Sequence, residues 1–212
     1  MLSFLKSNKY SPATINSTYY IRECSIHNVY DLNLILQPEK KGCSLIENTT
    51  IDLKIKNLPI LDLSEKKINA VLKKPIYIYD NNELLKGHKV LFYKEDVEFY
   101  RFLLQFHFID NQFFFATNKV SSSGMLSETE KGKIINQITN RYLGINWENH
   151  DGCSIMITDQ NDSMLTTVDD VYFNVNYLSG GSIKDSLIKK YAGQTDQTDQ
   201  KSDFENNVDK YF

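Results

Sequence analysis

Four histidines and three cysteines are the side chains of this 212-residue sequence best suited to nucleophilic or metal chemistry. His150-Asp151-Gly152-Cys153 sets an imidazole, a carboxylate and a thiol within four consecutive positions. Those are the groups of a cysteine–histidine nucleophile. Catalytic partners are usually joined by the fold rather than by adjacency, so a polar turn ahead of a strand explains the same residues. His107 stands between Phe106 and Phe108, where a hydrogen-bonded structural imidazole is the plainer expectation. His107, His150 and Cys153 are thus the candidate catalytic residues of a hydrolase with a dispersed site, a reading that ranks second.

Metal and phosphate chemistry find less support. No two of His27, His88, His107 and His150 have the i, i+4 spacing that sets two imidazoles on one helix face, and Cys24, Cys43 and Cys153 are too scattered for a zinc knuckle. Asp159, Asn161, Ser163 and Asp170 imitate part of a calcium loop, yet Met164 replaces the glycine that its sharp turn requires. A polar hairpin connection fits better. Leu178-Ser179-Gly180-Gly181-Ser182 reads as a tight strand-to-helix link, without Walker spacing. No serine sits in a G-x-S-x-G elbow. No metal and no cofactor are expected.

The elements that must position these residues follow from periodicity. Tyr19 to Cys24, Val29 to Leu36 and Ile51 to Lys56 read as strands, the last two by period-2 alternation. A short helix from Glu65 to Lys73 is capped by Ser64 and stopped by Pro75. Two hairpins follow: Ile76–Tyr79 with His88–Tyr93, then Phe99–Ile109 with Gln112–Thr117 around the turn pair Asp110-Asn111. Strict alternation then places Phe102, Leu104, Phe106, Phe108, Phe113 and Phe115 on one core face. The other face, with Arg101, Leu103, Gln105, His107, Gln112 and Phe114, is mixed and expected to be partly covered. Ser127 and Glu130 form a capping box for a helix that runs to Leu143 and ends at Gly144. Strands at 154–158 and 171–178 and a helix with Ile183, Leu187, Ile188 and Tyr191 complete the series. The expected fold is α+β: a mainly antiparallel, aromatic-rich sheet with about three helices on one side.

A single domain is expected over 1–193, with subdomains 19–74 and 75–193 as the alternative division. Residues 194–200 are a polar near-repeat that reads as a flexible leash. Beyond it Phe204, Val208, Tyr211 and Phe212 recur at helical spacing, the apolar stripe of a short docking helix at 202–212. Ten residues are too few to be stably helical alone, so the stripe needs a receiving surface.

Composition bounds the function. The net charge is −3, with 41% hydrophobic residues, an ordinary globular balance. Residues 1–74 carry eleven Lys/Arg against seven Asp/Glu, whereas 145–212 carry five against twelve. That acidic last third disfavours nucleic acid, whose affinity rests on cations neutralising phosphate. No apolar run approaches the roughly 20 residues of a bilayer span, and scattered odd-numbered cysteines suit a reducing cytoplasm. The leading expectation is a non-catalytic cytoplasmic protein-binding module (an inhibitor, immunity-type or chaperone-type partner) or a self-associating chain. A structural assembly subunit is the third reading.

Overall fold

The chain doubles back at Asp110-Asn111, where both residues take positive φ, 51° and 64°. A tight two-residue hairpin needs that geometry, and Asp and Asn tolerate it. A computed structural model describes residues 13–40, 42–82, 85–147 and 152–191. In chain order the elements are α1 (Ala13–Glu23), α2 (Val29–Leu36), β1 (Leu45–Asn48), β2 (Lys54–Ile55), β3 (Leu58–Pro59) and α3 (Glu65–Leu72). There follow β4 (Tyr77–Asp80), β5 (His88–Val97), β6 (Tyr100–Ile109), β7 (Gln112–Ser121) and α4 (Glu128–Leu143). The last are β8 (Ile155–Thr158), β9 (Met164–Asp169), β10 (Phe173–Leu178) and α5 (Ser182–Tyr191).

Eight strands form one sheet in the order β1-β8-β9-β10-β7-β6-β5-β4. Every pairing is antiparallel except β1 with β8. The α+β class with a large antiparallel, aromatic-rich sheet is therefore the observed architecture. β1 comes from the first 74 residues yet lies in the same sheet as the later strands. Among the described residues no helix is long and apolar enough to cross a membrane, and Cys24, Cys43 and Cys153 are all free thiols.

Helices cover both faces of the sheet rather than one. Toward α3 and α4 the strands present Leu91, Leu104, Phe106, Val120 and Val175, packed with Ile68, Ile135 and Ile138. On the opposite face α2 and α5 close over Ile109, Phe114, Phe115 and Leu178, while Tyr20 of α1 and Cys24 just after it cover Val90, Phe92 and Leu103. The expected mixed face is partly covered: Gln105, His107 and Phe114 at its middle are fully buried, while Arg101 and Gln112 at its ends are exposed.

The two additional helices are the segments expected as strands. In Val29–Leu36 the buried residues are Val29, Leu32 and Leu36, a helical spacing, while Tyr30 and Leu34 face solvent. Asn28 caps this helix by accepting from the Asp31 amide at 2.9 Å. Tyr20 and Cys24 sit four residues apart on the buried side of α1 and its exit, and Tyr19 is exposed. Aromatic and β-branched content favours strands only where a sheet edge receives them, and here packing decides otherwise. The third expected strand shrinks to Lys54–Ile55. Side chains take the amides at its start instead, the Leu53 amide bonding to Asp159 (3.1 Å) and the Lys54 amide to the Tyr142 hydroxyl (3.1 Å).

Phe115 changes face for a different reason. The β6–β7 register slips between His107 and Phe108, so Phe108 opposes Phe113 while His107 opposes Phe115. The extra residue is Phe114, and a bulge of one residue inverts every alternation beyond it. The helices α3 and α4 stand as expected, the second with its full capping box and a left-handed Gly144 at its end.

Candidate functional site

The bulge that relocates Phe115 also leaves His107 at the centre of a buried polar chain. The Tyr79 hydroxyl donates to Asn81 Oδ1 at 3.0 Å. Asn81 Nδ2 donates to the His27 carbonyl and to His88 Nδ1, each at 3.2 Å. His88 Nδ1 must therefore accept, which puts its proton on Nε2, 3.0 Å from His107 Nδ1. His107 in turn carries its proton on Nε2, a buried N–H without an acceptor among the described residues. The two rings lie edge to edge and nearly coplanar, with centroids 5.2 Å apart and planes 16° from parallel.

Burial holds both imidazoles neutral. It lowers His88 to about 4 and pushes His107 well below its ordinary value, with the charge of His88 as the next cause. One His107 nitrogen thus has its lone pair committed to His88, and the other is protonated. No lone pair is left for a substrate proton or a metal. Gln105 extends the polar group, accepting from the Ser25 amide at 2.9 Å and donating to the Glu23 carbonyl at 2.6 Å. Since Asn81 also reaches His27, the chain of amides and imidazoles fastens the α1–α2 connection to the sheet.

Cys153 lies elsewhere, against the core beneath α3 and α4. Its thiol donates to Glu128 Oε2 at 3.4 Å. Burial first, then Glu128 and Asp169, raise it to about 11, so it stays protonated and poorly nucleophilic. Ligand atoms of Glu128, Cys153 and Asp169 approach within 4.8 Å of one another, as a metal set would. The Lys131 ammonium, however, binds Glu128 at 2.8 Å and Asp169 at 2.7 Å. It stands where a cation would go. His150 and Asp151 lie outside the described residues, as do Phe204, Val208, Tyr211, Phe212 and the 194–200 leash. The structure therefore does not unite His107 with Cys153.

The other motifs resolve into turns. Asp159 accepts from the amides of Asn161 (2.8 Å), Ser163 (3.0 Å) and Leu53 (3.1 Å), which occupies both its oxygens with backbone. The Gly180 amide donates to Ser163 Oγ (3.1 Å) and the Ser179 amide to the Phe114 carbonyl (2.8 Å), so neither is open to an anion. A Cβ on Gly180 would fall 2.0 Å from the Asn161 carbonyl, which explains the glycine.

One surface escaped the sequence reading. The turn joining β5 to β6, the loop from β7 to α4 and the turn joining β9 to β10 meet at one end of the sheet, because Val97 pairs with Tyr100, Arg101 with Ser121, and Phe173 with both Val120 and Asp169. These connections expose Phe99 and Met125 at 84% each and Val171 at 70%, and Val97, the last residue of β5, is 52% exposed beside them. They span five neighbouring strands, roughly 19 Å at the usual interstrand spacing. Around them Asp96, Glu98, Glu128, Asp169 and Asp170 outnumber Lys94, Arg101 and Lys131. Asp96 is already shared between Lys94 (3.4 Å) and Arg101 (3.5 Å). Each apolar residue sits singly in a loop or at a strand end, so no periodicity could have marked it. Compared with known proteins, the chain matches no family model, no curated protein and no solved structure.

Proposed function

We propose that this chain is a non-catalytic, cytoplasmic protein-binding module, a single domain over 1–193, whose sheet end bearing Val97, Phe99, Met125 and Val171 docks a protein partner. The observation that carries this reading is the cluster of four large apolar side chains left in water on and beside three connections at one end of the sheet. Large apolar side chains left exposed together at one end of a sheet are candidates for an interaction site. Its acidic rim repels a second copy of itself and favours a partner that surrounds an apolar anchor with Lys and Arg. The stripe Phe204, Val208, Tyr211 and Phe212 is a second contact in this proposal. The protonated Cys153 and the committed nitrogens of His107 argue against the hydrolase alternative.

The test is differential capture. Tagged wild type, a Phe99→Ser/Met125→Ser double variant and a chain ending at Gly193 are compared in host extract at two salt concentrations. Any protein retained by the wild type is purified and titrated calorimetrically. Affinity should fall about a hundredfold in the double variant, as for a central hot spot, and should weaken with salt. Equal affinity for the double variant would sink the sheet-end surface. Concentration-dependent sedimentation of wild type alone, abolished by the double variant, would instead make the chain an assembly subunit.

A further inference from the structure

Independently of that surface, β4 forms one lateral edge of the sheet, and among the described residues no strand pairs with its outer side. The Asn81 amide donates to the His88 carbonyl and the Ile76 amide to the Phe92 carbonyl, each at 2.9 Å. The register sets Tyr77 against Phe92 and Tyr79 against Val90. Alternation along an antiparallel ladder therefore aims the backbone of Tyr77, Tyr79 and Asn81 at β5, and turns the N–H and C=O of Ile78 and Asp80 outward. Side chains alternate as well. Tyr77 and Tyr79 pack with Tyr20 on the α1 side, while Ile78, opposite Leu91, faces the α3 side and is 49% exposed. Outward donors and acceptors on an edge strand are a template for another extended chain.

Charge beside the edge narrows the guest. An open groove of about 480 Å³ runs between β4 and α3, lined by Glu65, Asn69, Lys73, Lys74, Pro75 and Ile78. Glu65 is held by Lys89 at 2.5 Å, and Asn69 Oδ1 accepts from the Tyr93 hydroxyl at 2.7 Å. Lys73 and Lys74 are exposed and form no ion pair among the described residues. Two uncommitted cations thus stand at the start of β4, an apolar side chain at its middle and the exposed Asp80 at its end. This asymmetry gives a guest a direction. An antiparallel guest places its C-terminal residues beside the lysines, and carboxylates there meet cations while staying clear of Asp80. We propose that β4 receives an extended segment of a partner protein, acidic at its C-terminal end, as an added antiparallel strand. Its backbone pairs with Ile78 and Asp80, an apolar side chain lies beside Ile78, and its carboxylates reach Lys73 and Lys74.

The probe is the peptide acetyl-Thr-Val-Thr-Val-Glu-Glu-amide, titrated into the full-length chain and followed by amide resonances. Saturable binding should slow hydrogen exchange at the Ile78 and Asp80 amides. A peptide ending in two lysines should bind about tenfold more weakly, the size of two exposed ion pairs. N-methylation of the second valine removes one backbone donor and should also cost about tenfold. Ile78→Pro deletes an N–H that the fold does not use, so proline is tolerated there as on other edges, and binding should vanish. Lys73→Glu/Lys74→Glu changes only exposed side chains and should reverse the preference between the acidic and the lysine peptide. Thermal melts of both variants check that the fold is retained, and Phe99→Ser/Met125→Ser should leave the titration unchanged. Wild-type affinity in a folded Ile78→Pro chain, or for the N-methylated peptide, overturns the strand pairing. Equal affinity for the two unmethylated peptides, or an unreversed preference in the double-glutamate variant, overturns the acidic guest. Sedimentation of wild type alone as a dimer that Ile78→Pro dissolves would give the edge to a second copy and overturn the proposal.

Discussion

The two faces of the sheet are buried to similar depth by opposite means. Beneath α3 and α4 the interior is apolar and continuous, with Phe106 and Leu104 at 0% exposure and ion pairs such as Lys131 with Glu128 and Lys89 with Glu65 at its fringe. Beneath α1 and α2 the interior is threaded by Asn81, His88, Gln105 and His107. The difference is clearest between α4 and the pair α1 and α2, since α3 on the apolar face is as short as α2 and is held by Ile68 and its Ser64 cap. α4 has sixteen residues, a capping box and a left-handed glycine stop, so its position is settled by local signals. α1 and α2 have eleven and eight residues, too short to be stable alone. Apolar contacts do not fix where a short helix sits along a strand. Hydrogen bonds from Asn81 to His27 and between Gln105 and the backbone at 23–25 do. One face supplies the stabilisation, and the other supplies register.

The contrast is broken most sharply at Phe106. Its ring is fully buried between Tyr93 and Phe113, with centroids 5.6 and 6.4 Å away. Phe106→Ala should cost on the order of 3–5 kcal/mol, read from denaturant midpoints. A loss below about 1 kcal/mol would mean that the apolar face is not the main source of stability.

Acid probes the other face. Unfolded imidazoles take up protons near their ordinary 6.5, whereas burial lowers His88 in the folded chain to about 4 and holds His107 well below its ordinary value too. The unfolded state therefore holds more protons in this interval, so stability is complete above pH 6.5 and drains away as pH falls toward 4. The loss should be about 2–3 kcal/mol from His88 alone. In a His88→Leu/His107→Leu chain the profile between pH 4 and 6.5 should flatten. A slope identical to wild type would assign the acid sensitivity to carboxylates instead. At pH 7 His88→Leu strips partners from Asn81 and His107, and should cost about 1–3 kcal/mol. Adding His107→Leu should then cost less than it does alone, with a coupling of about 0.5–3 kcal/mol by double-mutant cycle.

Legibility in the sequence divides along the same line. The hairpins and α4 were readable because their signals are local: a positive-φ pair at Asp110-Asn111, a cap at Ser127, a stop at Gly144. α2 was not, because Leu32 and Leu36 fit both a period of two and a period near 3.6, and only Asn28 distinguished them. The face of Phe115 depends on a bulge that no residue type announces. Of the candidate site residues, the neutrality of His107 could not be read at all, since it comes first from burial under the neighbouring elements and next from His88, nineteen positions earlier. The exposed sheet end was equally hidden: loop hydrophobes such as Phe99 and Met125 look like core until the strands place them.

The smallest effect tests the charged fringe of the apolar face. If the Lys131 ammonium takes a cation's place between Glu128 and Asp169, Lys131→Met should leave two carboxylates and the Cys153 sulfur facing one another within 4.8 Å. The melting midpoint should move little, because Glu128 is 78% exposed and water screens its pair. The Cys153 thiol should rise further from about 11, since the one neighbour that lowers it is gone while Glu128 and Asp169 remain. A soft divalent ion would reverse that trend by binding the thiolate. Cadmium titrated into the variant should therefore produce thiolate charge-transfer absorption that wild type lacks. Absorption of equal strength in both proteins would show that Lys131 does not exclude the ion. Absorption in neither would show that the three ligand atoms are held too far apart to coordinate, and that the cluster is an ion pair with a cysteine at its edge.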